Sequence, residues 1–277
     1  MELTESRLRK LYATHRLSTW RIEELTGWPR SVVYNKLKKF GMKPRGASES
    51  HIRYRRKHFD GSTLEKAYLI GFSIGDLRVR KAGKSECQTI GLACSSTKPA
   101  QIRLIKDLFS PYGRVWVSRP SSGDKISVEA FVDLSFGFLL PAEREKIDWI
   151  FNNDRHFLPF LAGFTDAEGS IFISRKQAFL SWGNYNHSLL SRIRDALEKL
   201  GIQTGEVVCD HLRGYKGKEG YRRKADYYQL RCGRKKPLQS LLKMLQPFLR
   251  HRDREMALRR ALKNIAVRNA EFGFVNM

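Results

Sequence analysis

Two short stretches, 92 residues apart, decide how this chain is read: Leu69-Ile-Gly-Phe-Ser-Ile-Gly-Asp76 and Leu161-Ala-Gly-Phe-Thr-Asp-Ala-Glu-Gly169. Each is an apolar run with small residues four apart, Gly71 and Gly75 in one, Gly163 and Ala167 in the other. Each stops at a carboxylate. Residues four apart share one face of a helix, and a stripe of small residues lets two helix backbones approach closely. Packed against each other, two such helices carry Asp76 and Glu168 side by side at their C-terminal tips. The helix dipoles are negative there and the like charges repel. Divalent cations between the acids would resolve the conflict, so the pattern predicts a pseudo-symmetric, metal-dependent enzyme.

Charge narrows the substrate. The chain has 277 residues, room for more than one domain. Its 52 Lys and Arg against 28 Asp and Glu give a net charge of +24 and a pI near 10.2. Such an excess points to a polyanionic partner, in the first place nucleic acid. An anionic membrane surface is the rival, but no basic amphipathic helix stands apart from a folded core. With no apolar run of about 18 residues and no signal-like start, an intracellular, cytoplasmic protein is expected. Cys87, Cys94, Cys209 and Cys232 show no zinc-ligand spacing and read as reduced thiols.

Residues 3–45 read as three short helices, in a domain ending near residue 46. The first covers Glu5–Thr14. Ser18 caps the second, Thr19–Leu25, with Trp20 and Ile22 inward. Gly27 turns the chain into the third, Ser31–Phe40. The pattern resembles helix-turn-helix DNA readers. The outer face of the third helix offers Arg30, Ser31, Tyr34, Asn35 and Lys38 to base edges and phosphates. A three-helix bundle used only for packing is the alternative. Positions 1–60 hold 15 basic and 6 acidic residues, which favours DNA contact. Residues 47–62 read as a basic linker whose Arg53, Arg55, Arg56 and Lys57 bind phosphates without sequence preference.

From residue 63 onward one order of elements appears twice, in 63–151 and 152–277. Each copy runs helix, two strands, helix, two strands, and closes on helical segments, among them Ala142–Phe151 in the first. The strands alternate in period two, as half-buried antiparallel strands do. Leu77 and Val79 face the helices while Arg78 and Arg80 face out. In the second copy Tyr228, Leu230 and Cys232 form the apolar set. Gln229 and Arg231 join Ser170, Ser174 and Lys176 as the outer, DNA-facing candidates.

These motifs and their repeat resemble the LAGLIDADG homing endonucleases in their single-chain, two-motif form, over roughly residues 63–270. The second motif matches closely; in the first, Leu77 stands where the final Gly is usual and Ile74 replaces the earlier acid. The resemblance implies an α+β fold of two αββαββα halves related by a pseudo-twofold axis. The motif helices, through Gly71, Gly75, Gly163 and Ala167, would form the interface, and two antiparallel sheets a saddle over double-stranded DNA. It further implies a monomer that makes double-strand breaks in a long site, with Asp76 and Glu168 sharing two or three Mg²⁺ ions. Mg²⁺ prefers oxygen ligands and is commonly held by one or two carboxylates plus phosphate and water. The stretch Leu245–Leu249 followed by Arg250 and Arg252 resembles the family segment that carries a basic residue near the site. Arg252 is therefore assigned to the phosphorane, with phosphate anchoring as the alternative. In the first half Arg144 and Lys146 stand equal for that place. Asn184 and Asn186 suit either positioning a water or capping the helix near Ser188, and the cap is favoured. The competing functions are a catalytically silent DNA-binding transcription regulator and an intron RNA-splicing maturase acting on host intron RNA. An intein is disfavoured by the absence of Cys or Ser at the start and of a His-Asn pair at the end. No histidine spacing supports a histidine-based nuclease.

Overall fold

The computed structural model of the protein describes residues 3–46, 49, 52, 54–83, 87–120, 123–217 and 222–272. The first unit is helical. Thr4 caps α1 (Glu5–Arg9), which widens into a π turn over Lys10–Thr14. Ser18 caps α2 (Thr19–Thr26), Gly27 turns the chain at φ 73°, and α3 (Arg30–Lys39) follows. Leu3, Leu8, Tyr12, Ile22, Val33, Leu37 and Met42 bury one another in a core of their own. Trp20, expected inward, is 54% exposed, because the buried face of the two-turn helix α2 is spent on Ile22.

The described part of the basic linker from residue 54 onward is docked, and the chain just before the linker is tied down as well. Upstream, Arg45 is tied to the helical unit: its amide donates to the Tyr12 hydroxyl and its guanidinium to the carbonyls of Arg16 and Leu17. Downstream, Lys57 N–H donates to the Tyr112 carbonyl at 2.9 Å and Phe59 N–H to Ser135 Oγ at 2.7 Å. The Phe59 ring packs among Tyr112, Phe136 and Phe138. Residues 54–59 thus belong to the surface of the first repeat.

Each repeat puts an antiparallel sheet against helices. In the first, α4 (Thr63–Asp76) leads to β1 (Arg78–Lys81), β2 (Ile90–Ser96), α5 (Pro99–Phe109), β3 (Arg114–Val117) and β4 (Ile126–Val132). Short helices α6 (Pro141–Arg144) and α7 (Asp148–Phe151) close it. In the second, α8 (Asp154–Glu168) leads to β5 (Gly169–Ser174), β6 (Gln177–Asn184), α9 (His187–Lys199), β7 (Val208–His211) and β8 (Tyr227–Cys232). Helices α10 (Lys235–Leu245) and α11 (Arg252–Phe272) end it. The strand orders are β1-β2-β4-β3 and β5-β6-β8-β7, the same topology twice. One continuous core, with Phe72, Phe136, Phe160 and Trp182 among its largest members, joins both repeats. The single helix expected over Ala142–Phe151 is split. Asp133 caps a 3₁₀ turn over Leu134–Leu139, and Ile147 leaves helical backbone at ψ 18° before α7, with Ile147 and Ile150 both buried.

Helices α4 and α8 meet through backbone. A Cβ on Gly71 would lie 2.0 Å from the Phe160 carbonyl oxygen, and one on Gly163 would lie 2.1 Å from that of Tyr68. Neither position has room for any side chain. Stacked pairs flank the contact on both sides: Tyr68 with Phe72 and Phe160 with Phe164, each at 6.4 Å.

Candidate metal centre and nucleic-acid interface

The close approach of α4 and α8 fixes where their last residues go. Asp76 ends α4 and Glu168 ends α8. Gly75 faces the tip of the other helix so tightly that a Cβ there would lie 2.6 Å from Glu168 Cγ. The two carboxylates are therefore neighbours. Burial pushes Asp76 up to about 6, opposed by a 2.6 Å hydrogen bond donated by Gln101 Nε2 to Asp76 Oδ2. Glu168 is pushed up to about 7, by burial first and by the Asp76 charge second. Arg254 is the cation whose field favours the ionised form of both. Each acid runs almost directly into the first strand of its sheet, at Arg78 and at Gly169.

A third carboxylate explains how the end of the chain is placed. Asp166 is 1% exposed, and its Oδ2 accepts from the Tyr68 hydroxyl (2.7 Å) and the amides of Arg250 (2.7 Å) and His251 (3.1 Å). Burial still raises it to about 6. These bonds set the phase at which α11 begins. Arg250 turns back to pair with Glu65 at 2.9 Å, and its guanidinium lies 4.3 Å over the Tyr68 ring. Arg252, expected at the scissile phosphate, lines a hollow of about 280 Å³ together with Pro99, Arg103 and Met256. The charge of Arg254, two residues on, reaches Asp76, Asp166 and Glu168. In the first repeat Arg144 donates to the Ser73 carbonyl at 2.6 Å, and Lys146 pairs with Glu143 at the surface.

The other expected positions fall as follows. Arg30, Ser31, Tyr34, Asn35 and Lys38 are all exposed on α3, with Arg30 paired to Glu23 at 3.2 Å. Arg55 is exposed. Arg56 is half-buried and donates through Nη1 to the Gln88 carbonyl at 2.8 Å. Arg53 lies outside the described residues. Arg78 and Arg80 point out of β1 while Val79 is buried. Ser170, Ser174 and Lys176 are exposed in and beside β5. Arg231 donates to Gln229 at 2.9 Å and lies over the stacked Phe172 and Phe179 rings. Asn186 caps α9 by accepting from the Leu189 amide. Gln101 and Arg254 are the site residues that the sequence did not disclose. The only cue to Gln101 was a polar residue in the first turn of an otherwise amphipathic helix.

Among the described residues, no three His, Cys, Asp or Glu side chains gather around one point. The centre offers two carboxylates. Pressed together and raised by burial, they suit a hard divalent cation whose remaining ligands are phosphate oxygens and water. The described residues contain no helix long and apolar enough to cross a membrane.

The model of the LAGLIDADG-like domain family matches residues 158–244, so the motif resemblance is shown from the second repeat. No curated protein matches the sequence. Several solved structures are similar to the chain. The homing endonuclease I-DmoI in complex with DNA and Ca is 15% identical with a TM-score of 0.48, over 72% of this chain and 98% of that one. The same protein with DNA and Mn is 18% identical with a TM-score of 0.46, over 66% and 97%. The N-terminal LAGLIDADG domain of DUF199/WhiA is 20% identical with a TM-score of 0.44, over 67% and 84%.

Proposed function

We propose that this chain is a divalent-metal-dependent DNA endonuclease that makes double-strand breaks in a long target. One observation carries the reading: two carboxylates are forced together at the tips of helices that glycine contacts prevent from separating. That placement stabilises nothing in the protein alone, since burial and mutual repulsion both oppose ionisation. It is useful to a cation. Asp76 and Glu168 would hold Mg²⁺, which when bound supplies an activated water and offsets charge on the leaving 3′ oxygen. Gln101 orients the Asp76 carboxylate through its 2.6 Å hydrogen bond. Arg254 contributes fixed positive charge where the phosphate would gain negative charge. Arg78, Arg80 and Arg231 present cations on the outer faces of the sheets, where a duplex backbone would lie. The α3 face would extend the contacted site beyond the sheets. Both acids sit on one chain, so a monomer suffices.

The test is a plasmid bearing the flanks of the host gene, incubated with Mg²⁺. Wild-type protein should linearise it. Asp76→Asn and Glu168→Gln should abolish linearisation while retaining the gel shift, because each amide keeps the shape and loses the charge. Undiminished cutting by either variant removes that acid from the mechanism. Binding without any cutting by the wild type would favour the regulator reading.

A further inference from the structure

The two sheets differ most at one corner. Residues 118–125 join β3 to β4, whereas residues 212–226 join β7 to β8. The shorter connection carries no aromatic or large apolar residue. The described part of the longer one forms an arm ordered by its own hydrogen bonds. Gly214 N–H donates to the Arg223 carbonyl (2.8 Å), Arg223 N–H to the Tyr215 carbonyl (2.9 Å), and Arg213 N–H to the Asp226 carboxylate (2.7 Å).

Register shows which way the arm faces. His211 opposes Tyr227 across β7 and β8, and opposed residues share a face of a sheet. The Tyr227 hydroxyl lies over Gly183, where a Cβ would come within 2.2 Å of it. Trp182 beside Gly183 is fully buried under the helices, so Gly183, Tyr227 and His211 are on the outer face. Here rings and a cation are stacked in the open. His211 and Tyr215 lie parallel at 4.0 Å, and Tyr185 meets Tyr227 edge-on at 5.1 Å. The Arg223 guanidinium lies 4.1 Å over Tyr227 and donates to the Tyr185 hydroxyl at 3.1 Å, which holds it in one orientation. Leu212 is 67% exposed and Tyr215 46%, beside an open hollow of about 630 Å³. Exposed apolar side chains gathered in one place and rimmed by cations mark a contact surface. A duplex supplies the matching chemistry: phosphates for the guanidinium, deoxyribose and base edges for the apolar side chains. Gly169, which follows Glu168, pairs with Trp182, the neighbour of the Gly183 that the Tyr227 hydroxyl covers, so the second acid leads into the strand beside this corner.

We infer that this corner is a DNA-docking arm, built from residue types that the matching connection of the first repeat lacks, that grips the duplex in the half of the site served by Glu168. Arg223 holds a backbone phosphate, and Leu212 and Tyr215 pack on deoxyribose and base edges. The inference rests on the DNA reading above and adds an asymmetry to it. It is tested with the full chain in EDTA, on a duplex that the wild type enriches from a random-sequence pool. Leu212→Ala with Tyr215→Ala should weaken binding about tenfold or more, with the slope of log K against log salt unchanged. Arg223→Ala should make that slope shallower by about 1. In both variants hydroxyl-radical protection should disappear at one end of the site only. Thermal unfolding should change little, since Leu212 and Tyr215 are exposed and Arg223 touches only rings on the outer face of the sheet. If the wild type enriches no duplex, the DNA reading itself falls. If it does and the variants keep its footprint and affinity, or lose protection at both ends, the arm is overturned.

Discussion

Three residues after its N-cap, α5 of the first repeat has Gln101, and α9 of the second has Leu189. The two acids therefore stand in different company. Asp76 accepts a hydrogen bond from that glutamine, while burial and the neighbouring charge carry Glu168 higher, to about 7. A second contrast lies two residues before each acid, where the first repeat has Ile74 and the second has Asp166, the anchor for the start of α11. The glycines do not diverge: Gly71 meets Phe160 and Gly163 meets Tyr68 in mirrored contacts. A close backbone contact is reciprocal, so both partners must be small. A hydrogen bond to a carboxylate is not, so one repeat can supply it and the other omit it.

Breaking the shared part should have the largest effect. Gly71→Ala and Gly163→Ala each drive a methyl group into a carbonyl of the other helix, so both should destabilise by about 3 kcal/mol or more, above the usual cost of overpacking. Gly75→Ala meets only side-chain atoms of Ala167 and Glu168 and should cost less. Urea unfolding of the three variants checks the order; equal losses would mean that the backbone contact is not what matters.

The acids come next. The folded-state values of Asp76, Asp166 and Glu168, about 6, 6 and 7, all lie above their ordinary values. A raised carboxyl contributes stability that is fully present below about pH 4 and is lost as pH rises through the folded value. In EDTA the protein should therefore lose stability between about pH 4 and 8. Glu168→Gln should gain on the order of 1–3 kcal/mol at pH 8 and nothing at pH 4. Thermal melts at the two pH values decide it, and a variant less stable than wild type at pH 8 would contradict the burial of this charge.

The smallest effect sharpens the contrast itself. Gln101→Leu removes the donor from Asp76, and Leu189→Gln offers one to Glu168. The first should move the Asp76 titration upward and the second should lower that of Glu168, as followed by carboxyl NMR in the absence of metal. If Gln101→Leu leaves Asp76 where it was, the hydrogen bond does not distinguish the repeats.

Much of this was legible in the chain. The four-residue spacing of Gly71, Gly75, Gly163 and Ala167 announces a helix pair, and the strand alternation assigns Arg78 and Arg80 outward because period two leaves no other choice. What failed to show depended on distant partners. The sequence points to Arg252 and passes over Arg254, because the start of α11 is fixed by Asp166, more than 80 residues earlier. Arg56 reads as a phosphate ligand, and its bond to the Gln88 carbonyl is not visible in the chain. Trp20 reads as core by type, yet a two-turn helix in a small unit buries one residue. The break at Ile147 likewise answers to the core beneath it and not to any local helix-breaking residue.

The two anchors on the linker set a ruler. Arg45 is pinned to the helical unit and Lys57 to the first repeat, with Tyr54 held beneath the Arg114 guanidinium at 4.1 Å. Whatever path the intervening residues take, nine steps of chain between positions 45 and 54 reach no farther than about 30 Å. If both units lie on one duplex, the point where Arg45 is pinned can stand no farther than that from Tyr54, roughly nine base-pair steps at about 3.4 Å per step. The tether belongs to the repeat that carries Asp76, whereas the arm belongs to the repeat that carries Glu168. The molecule would then hold a directional address whose two ends are measured by different means, a fixed length of chain at one and stacked side chains on the outer face of the second sheet at the other.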